Sequence, residues 1–243
     1  MSEKRLPWEA GRVPTGYWDN PTNRRKYLRW LGKQLGFAHV DDWYSVRKQD
    51  FHAYRGGGLL ANYYRDSPIE ALTELYPRRK WHVWRFNSTP QGFWKVKKNR
   101  HSYLQWLEKQ LKIKSPEDWY QVSRADFHTN HGGGLLANYY GDSVYRALRE
   151  FLPRQKWVMW KFRTVPQGYW KERENRVSYL KWLGKSLGYR KLEDWYRLSR
   201  KDFEFNYGES LFVSYYRGSC LKALNDFRPD VEWDAALVRR KGR

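Results

Sequence analysis

The chain repeats one aromatic pattern every 76 residues, and no insertion interrupts the spacing. Trp30, Trp106 and Trp182 hold this register. Four further sets follow it, namely Trp18/Trp94/Trp170, Trp43/Trp119/Trp195, Tyr63/Tyr139/Tyr215 and Trp81/Trp157/Trp233. Self-similarity at a fixed period indicates a repeat array, in which each short unit packs against the next. We predict three modules, at 8–83, 84–159 and 160–235, and a basic C-terminal tail at 236–243.

Local patterns within one module predict helices. Apolar residues recur at helical spacing over about 99–112. Ser115 before Pro116 is a typical helix start, Ser123 with an acid three residues later forms a capping-box pattern, and Ser67 before Pro68 starts another helix. The β-branched alternation typical of strands is almost absent. The predicted fold is all-α, with three tandem helical modules joined by aromatic connectors such as 81–94.

Positive charge is spread over the whole chain. The formal net charge is +21, of which the three modules carry +5, +7 and +4. A basic surface on every folded unit favours a polyanionic partner, because neutralised phosphates release counterions. The simpler alternative is a basic surface that serves only solubility.

Other classes of protein are disfavoured by composition. The one cysteine, Cys220, excludes a disulfide framework and a cysteine-rich zinc site. No apolar run approaches the length of a membrane span, and the first residues lack a signal-peptide core. We therefore expect an intracellular protein of the nucleus or of an organelle, without a membrane partner.

Basic residues at the same place in all three modules are the best candidates for contacts with a repetitive backbone. A cation at a helix start opposes the helix dipole, so Arg24 and its equivalents suggest a nearby phosphate or carboxylate. The alternative for every set is a solvated face or a salt bridge, and the Lys33 set fits that alternative best. The candidates are Arg24/Arg100/Arg176, Lys33/Lys109/Lys185 and Lys48/Arg124/Arg200.

Two triple-glycine runs precede apolar helices. Backbone amides at a helix N-terminus, uncrowded by side chains, can hold a phosphate. The alternative is a tight turn that needs positive φ for close packing. The runs are Gly56, Gly57, Gly58 and Gly132, Gly133, Gly134. In the third module the run becomes Gly208-Glu209-Ser210, whose carboxylate would repel a phosphate.

Aromatic rings alternate with the charges, as in surfaces that stack nucleic-acid bases. Most of these rings lie at helical spacing among apolar residues and are predicted to be core. Tyr64 and Tyr140 are the candidates for stacking, with Tyr54 beside them.

The sequence gives little support for an enzyme. Asp50-Phe51-His52 and Asp126-Phe127-His128 are the nearest approach to an acid and histidine cluster, but the third module has Asp202-Phe203-Glu204. These aspartates fit helix caps, so we predict no catalytic residue, no bound metal and no cofactor. A metal-dependent nuclease is the weakest alternative.

The motifs together resemble a tandem tryptophan-rich helical module of predicted proteins from plants, algae, oomycetes and some fungi. They are Gly-Phe/Tyr-Trp, Asn-Arg, Tyr-Leu-x-Trp-Leu, Asp-Trp-Tyr, Gly-Gly-Gly-Leu-Leu-Ala-Asn-Tyr-Tyr and Ser-x-x-x-Ala-Leu before a proline, from Trp8 to Trp233. The resemblance implies a tandem arrangement and brings no activity and no functional residue. The third module departs from it at Gly208-Glu209-Ser210.

The sequence thus predicts a non-enzymatic nucleic-acid-binding array that contacts the phosphate backbone, with duplex DNA slightly favoured over structured RNA. By analogy with a helix-turn-helix, the helix from Leu135 to Tyr140 could enter a groove of the duplex. The alternatives are an RNA-associated structural protein, for example of an organellar ribosome, and a basic scaffold for an acidic protein.

Overall fold

The computed structural model describes residues 6–11 and 13–241, and side chains as far as Val238. Over these residues every regular element is a helix, which confirms the all-α prediction. The chain forms two compact units, the first ending at Tyr103 and the second beginning at Leu104. Among the helices in this part of the chain, none has the length and apolar character needed to cross a membrane.

The helices recur in the same order at the spacing of the sequence repeat. The α-helices are α1 Pro21–Gln34, α2 Lys48–Ala53, α3 Gly57–Tyr64, α4 Pro68–Leu75, α5 Lys97–Gln110, α6 Arg124–Thr129, α7 Gly133–Tyr140, α8 Val144–Phe151, α9 Arg173–Ser186, α10 Arg200–Phe205, α11 Glu209–Ser214, α12 Cys220–Phe227 and α13 Ala235–Lys241. The 3-10 turns are Tyr17–Asp19, Val40–Ser45, Val83–Arg85, Phe93–Lys95, Pro116–Gln121, Met159–Lys161, Tyr169–Lys171 and Leu192–Arg197. The exact module limits stay a prediction, and the cationic side chains of the predicted tail lie outside the described residues.

Acidic residues hold the helix starts as the sequence predicts. The Ser123 amide donates to Asp126 Oδ2 at 2.7 Å, and the Asp126 amide donates back to Ser123 Oγ at 3.4 Å. Asp118 accepts from the Lys114 and Ser115 amides at 2.7 and 2.9 Å. The segment that Asp118 starts is a 3-10 helix of six residues, because Val122 returns the chain to extended backbone. Both sets of aspartates therefore have structural partners.

A buried tyrosine from the first long helix is enclosed by two tryptophans. Tyr27 is fully buried, with Trp8 and Trp18 at ring distances of 5.4 and 5.5 Å. In the second unit Tyr179 repeats this arrangement, with Trp160 at 5.7 Å and Trp170 at 5.6 Å. These edge-to-face contacts bury the large rings that stabilise short modules. They confirm that most of the aromatic pattern is core.

The connectors pack against aromatic rings on both sides. In the first unit Trp81 contacts Tyr44 at 5.2 Å, and the His82 amide donates to the Tyr44 hydroxyl at 3.2 Å. Farther along the same connector, Trp84 contacts Tyr103 at 5.6 Å. The predicted aromatic connector is confirmed, although 3-10 turns interrupt its extended backbone.

Candidate nucleic-acid interface

The arginines that begin the long helices point into the protein. Arg176 and Arg100 are each only 4% exposed, and the side chain of Arg24 is 14% exposed. Arg176 Nε donates to Asp226 Oδ2 at 2.6 Å, while its Nη1 donates to two backbone carbonyls at 2.8 and 2.7 Å. Arg24 likewise donates to Glu74 at 3.1 Å. The guanidinium groups of Arg24 and Arg176 thus tie the start of a long helix to the end of the last helix of the module.

This geometry corrects the prediction that Arg24, Arg100 and Arg176 contact phosphates. Arg100 Nη1 already donates to the carbonyls of Trp94 and Lys95 at 2.7 and 2.9 Å, so it too has an internal role. For Arg24 and Arg176, the carboxylate considered from the sequence as the alternative partner is present instead, at Glu74 and Asp226. A signal was available, since acids recur fifty residues after each arginine, at Glu74, Glu150 and Asp226.

Asp226 is held ionised by this network. Burial alone would raise the pKa of its carboxyl, but hydrogen bonds from Arg176 and Tyr216 outweigh burial, so the pKa is lowered from its ordinary value of 3.8. A carboxyl whose pKa is lower in the folded state stabilises the fold above its ordinary pKa, and this contribution disappears as the pH falls through the folded value.

We expect Asp226→Asn to lower the free energy of unfolding at pH 7 by about 2 kcal/mol, because it leaves Arg176 without its charged partner. The difference from the unchanged protein should narrow as the pH falls below 3.8, where the wild-type carboxylate also becomes protonated. Urea unfolding at pH 7, 5 and 3 measures this. A difference that is constant over the three values would contradict the assignment.

The structure also corrects the prediction that Tyr64 and Tyr140 stack on bases, because both rings are only 4% exposed. Tyr64 donates its hydroxyl to Glu74 at 3.0 Å, and burial raises its pKa. The neighbouring Tyr63 is the exposed ring, and Arg24 lies 5.3 Å from its centroid. The candidate Tyr54 packs against the core ring of Trp30 at 5.9 Å.

The first glycine of the loop is required by packing in the first and the third module. A Cβ at Gly56 would lie 2.0 Å from the Tyr27 hydroxyl, and one at Gly208 would lie 2.0 Å from that of Tyr179. The φ of Gly56 is −95°, so the close approach and not a positive φ demands glycine. The left-handed residues come just before the glycines, at Arg55, His131 and Tyr207 with φ of 61°, 61° and 63°.

The remaining glycines lie inside the helices, which start two residues earlier than predicted. Gly57 and Gly133 lie against histidine rings, since an added Cβ would be 2.5 Å from a ring nitrogen in each case. Gly58 faces open space, and no side chain caps the N-terminus of α3. Packing therefore does not explain Gly58, and its phosphate role stays a prediction.

The cations beside the second cap are exposed and form ion pairs. Lys48 Nζ lies 2.7 Å from Asp66, and Arg124 Nη2 lies 3.2 Å from Asp142. In the third module, Arg200 Nε lies 2.5 Å from Glu204. Solvent-exposed pairs of this kind contribute at most about 1 kcal/mol, so a phosphate could replace any of the three acids at little cost. The three cations remain candidates for a weak anion contact.

The Lys33 set, which the sequence analysis assigned to a solvated face or a salt bridge, is the basic set whose side chains are available to a ligand. Lys33, Lys109 and Lys185 are exposed near the ends of the long helices. Within the described residues none of the three forms an ion pair. Their ammonium groups can therefore meet a phosphate without losing an internal partner.

Helix α1 carries further exposed cations beside Lys33. It contains no acidic residue, and Arg25, Lys26, Arg29 and Lys33 are all exposed on it. Arg25, Arg29 and Lys33 follow one another at four-residue spacing, where like charges repel by a few tenths of a kcal/mol per pair. None of the four is paired with an acid within the described part of the chain. An external polyanion would relieve this repulsion.

The third module differs at its surface. Phe205 is 80% exposed, Tyr207 49% and Val213 51%. Smaller or polar residues take these places in the second module, at Thr129, His131 and Ala137. Apolar side chains on this copy mark it as the least equivalent of the three.

The aspartates considered from the sequence for a nuclease lie at the starts of helices. Over the described residues, no group of three or more His, Cys, Asp or Glu side chains could hold a metal ion. Asp50 and Asp202 accept hydrogen bonds from the Arg47 and Ser199 amides at 2.7 and 2.8 Å. These carboxylates are engaged as helix caps.

Comparison with protein-family models, with curated proteins and with solved structures finds no match for this chain.

Proposed function

We propose that this protein is a non-enzymatic nucleic-acid-binding repeat protein, which holds the phosphate backbone with exposed cations of its long helices. The observation that carries the proposal is the set of exposed lysines at equivalent places on these helices, Lys33, Lys109 and Lys185, which form no ion pair within the described residues. Phosphate contacts by such side chains do not depend on base sequence. Nucleic acid is also the common polyanion with a regular charge spacing.

Duplex DNA is slightly favoured over structured RNA, because rigid, regularly spaced phosphates suit cations that recur at a fixed spacing in the sequence. The proposed compartment is one that holds nucleic acid, the nucleus or an organelle. The free amide end of α3 at Gly58 and the ion-paired Lys48 and Arg124 are secondary contacts in this proposal. The helix-start arginines contribute by holding the long helices in place.

The test is a triple change of Lys33, Lys109 and Lys185 to glutamine. We expect the slope of log binding constant against log salt concentration to become shallower by about 3, one unit for each lost contact. Binding of fluorescent duplex DNA, single-stranded DNA and structured RNA over a salt series measures the slope. Equal binding of poly-glutamate at matched charge would instead support the scaffold for an acidic protein.

A matched control removes three positive charges that the chain itself engages. Arg197, Arg228 and Arg85 pair with Asp194, Asp230 and Asp41. Changing these three arginines to glutamine lowers the net charge equally, and we expect a smaller change of slope. If both triple variants lose the same slope, net charge and not the long-helix surface governs binding.

One observation favours a second function, contact with another protein. In the second module smaller or polar residues stand at the places of the exposed Phe205, Tyr207 and Val213. Changing Phe205 and Val213 to serine should leave the salt slope for nucleic acid unchanged, because neither side chain carries charge. A loss of nucleic-acid affinity in this variant would show that the third module binds through these side chains instead.

A further inference from the structure

A groove lies between the start of the second helix, the turn before the fourth helix and the connector, and it occurs at equivalent places in two modules. In the second module it has a volume of about 620 Å³ and is lined by residues that include Arg124, Arg146 and Arg163. In the first module it has a volume of about 460 Å³. Both volumes fall within the range typical of small-molecule sites. We call these the second and the first connector groove.

The two connector grooves have the same excess of positive charge, although most of their cations stand at different positions of the repeat. The second groove has three arginines and one acid, Asp142. The first groove also has three cations and one acid, Asp66, but only Lys48 stands at the place of a cation in the second groove. The cations of the first groove are Arg47, Lys48 and Arg65. Two different residue sets with one charge balance indicate that both grooves suit an anion.

The turn before α8 carries its cation at a different position from the equivalent turn of the first module. Gly141 takes the place of Arg65, and Arg146 takes the place of Glu70. Arg146 Nη1 lies 3.1 Å from the point that a Cβ on residue 141 would occupy, so the glycine leaves room for the guanidinium. In the first module Arg65 instead pairs with Glu70 at 3.4 Å. The acid that pairs with Arg65 in the first module thus has no counterpart in the second module, where an arginine takes its place.

The second groove offers more than charge. The ring of Tyr145 is half-buried and lies 5.8 Å from the ring of Phe162, which is a buried residue of the same lining. The side chain of Asp142 lines the same groove and is 37% exposed, so its carboxylate can accept a hydrogen bond from a ligand. A ligand that fits all of these features carries an anion, a flat apolar body and an N–H donor.

We propose that the second connector groove binds one unpaired nucleotide of a nucleic-acid strand. Its phosphate would lie at Arg124, Arg146 and Arg163, since guanidinium groups bind phosphate through paired hydrogen bonds. The base would pack on Tyr145 and donate an amine hydrogen to Asp142. This inference rests on the proposed function, and it adds that strands with unpaired bases bind more tightly than fully paired ones.

The experiment compares two duplexes of identical sequence, one with a three-nucleotide adenine overhang and one with an abasic overhang that has the same phosphates. We expect the adenine overhang to bind about tenfold more tightly, because base stacking on an aromatic side chain is sequence-tolerant and favourable. Thr164→Asp adds a negative charge at an exposed place in the groove, and Tyr145→Ile reproduces the residue of the first groove, Ile69. Both variants should lose the preference.

The matched control is Asn138→Asp, which adds the same charge on the exposed side of α7 outside the groove. It should retain the preference, whereas the triple lysine variant should weaken both duplexes equally. Intact duplex binding with equal affinity for both overhangs would overturn the groove assignment and leave the proposed function standing. Competition by a glutamate heptapeptide that Thr164→Asp abolishes would also overturn it, in favour of an acidic peptide. Failure of the unchanged protein to bind any duplex would remove the proposed function itself.

Discussion

Replacing Arg176 by methionine is expected to lower the free energy of unfolding by about 4 kcal/mol, in the range measured for breaking a buried ion pair. The change keeps the apolar stem but removes the donors to Asp226 and to the carbonyls of Trp170 and Lys171. Asp226 is then left with a side chain only 16% exposed and without its main partner. Urea unfolding monitored by tryptophan fluorescence measures the loss.

Arg173 supplies the control, because it contacts the same carboxylate from the surface. Its Nε lies 3.5 Å from Asp226 Oδ1, and its side chain is half exposed. Arg173→Met should cost less than about 1 kcal/mol, as for other exposed pairs. If the two variants lose equal stability, the internal role of Arg176 is wrong and a phosphate contact becomes the better explanation.

A second control also removes the carboxylate that Arg176→Met leaves without its partner. Arg176→Met combined with Asp226→Leu replaces the pair with apolar groups, and such replacements are often close to neutral for stability. We expect the double variant to regain part of the loss. The interaction energy from this double-mutant cycle isolates the pair from the carbonyl hydrogen bonds.

The contrast between the largely buried Arg24 and the exposed Lys33 shows what the sequence could and could not predict. Helix starts such as Ser123 with Asp126 were predictable, because both partners lie within four residues. The partner of Arg24 lies fifty residues away, and helical periodicity carries no information about it. Recurrence at the repeat spacing identified Arg24 and Lys33 equally well. Only burial separates a recurring structural residue from a recurring surface residue.

The tyrosine pair illustrates the same limit. Tyr63 and Tyr64 follow Leu59 and Leu60 at four-residue spacing, and both leucines are fully buried. Periodicity over the eight residues of α3 therefore does not decide which tyrosine faces the core. Tyr64 faces the core because Glu74 on α4 accepts a hydrogen bond from its hydroxyl.

The connector grooves were beyond sequence prediction for another reason. Each groove joins three segments that are separated along the chain, and its cations occupy different positions in the two modules. A search for recurring positions finds Lys48 and Arg124 but misses Arg65 and Arg146. Charge balance in a shared space becomes visible only when the fold brings the segments together.

The glycine run gives the second large prediction, since its first and third members should respond oppositely to alanine. Gly56→Ala is expected to cost about 3 kcal/mol, the upper range for forcing extra volume into a packed site. The new Cβ would lie 2.0 Å from the Tyr27 hydroxyl and 2.4 Å from the ring carbon that bears it. Tyr27 is fully buried and donates to the Tyr54 carbonyl at 3.2 Å, so the ring has no room to withdraw.

Gly58→Ala is the matched variant, because nothing lies within 4 Å of the added methyl group. Alanine in a helix is favoured over glycine by up to about 1 kcal/mol, so stability should be unchanged or raised. Thermal unfolding of both variants measures the contrast, and equal losses would show that the run acts as one turn. The same Gly58→Ala protein, folded and stable, then separates packing from binding. Weaker duplex affinity would assign the N-terminus of α3 to the phosphate backbone, and unchanged affinity would leave the contact to the lysines of the long helices.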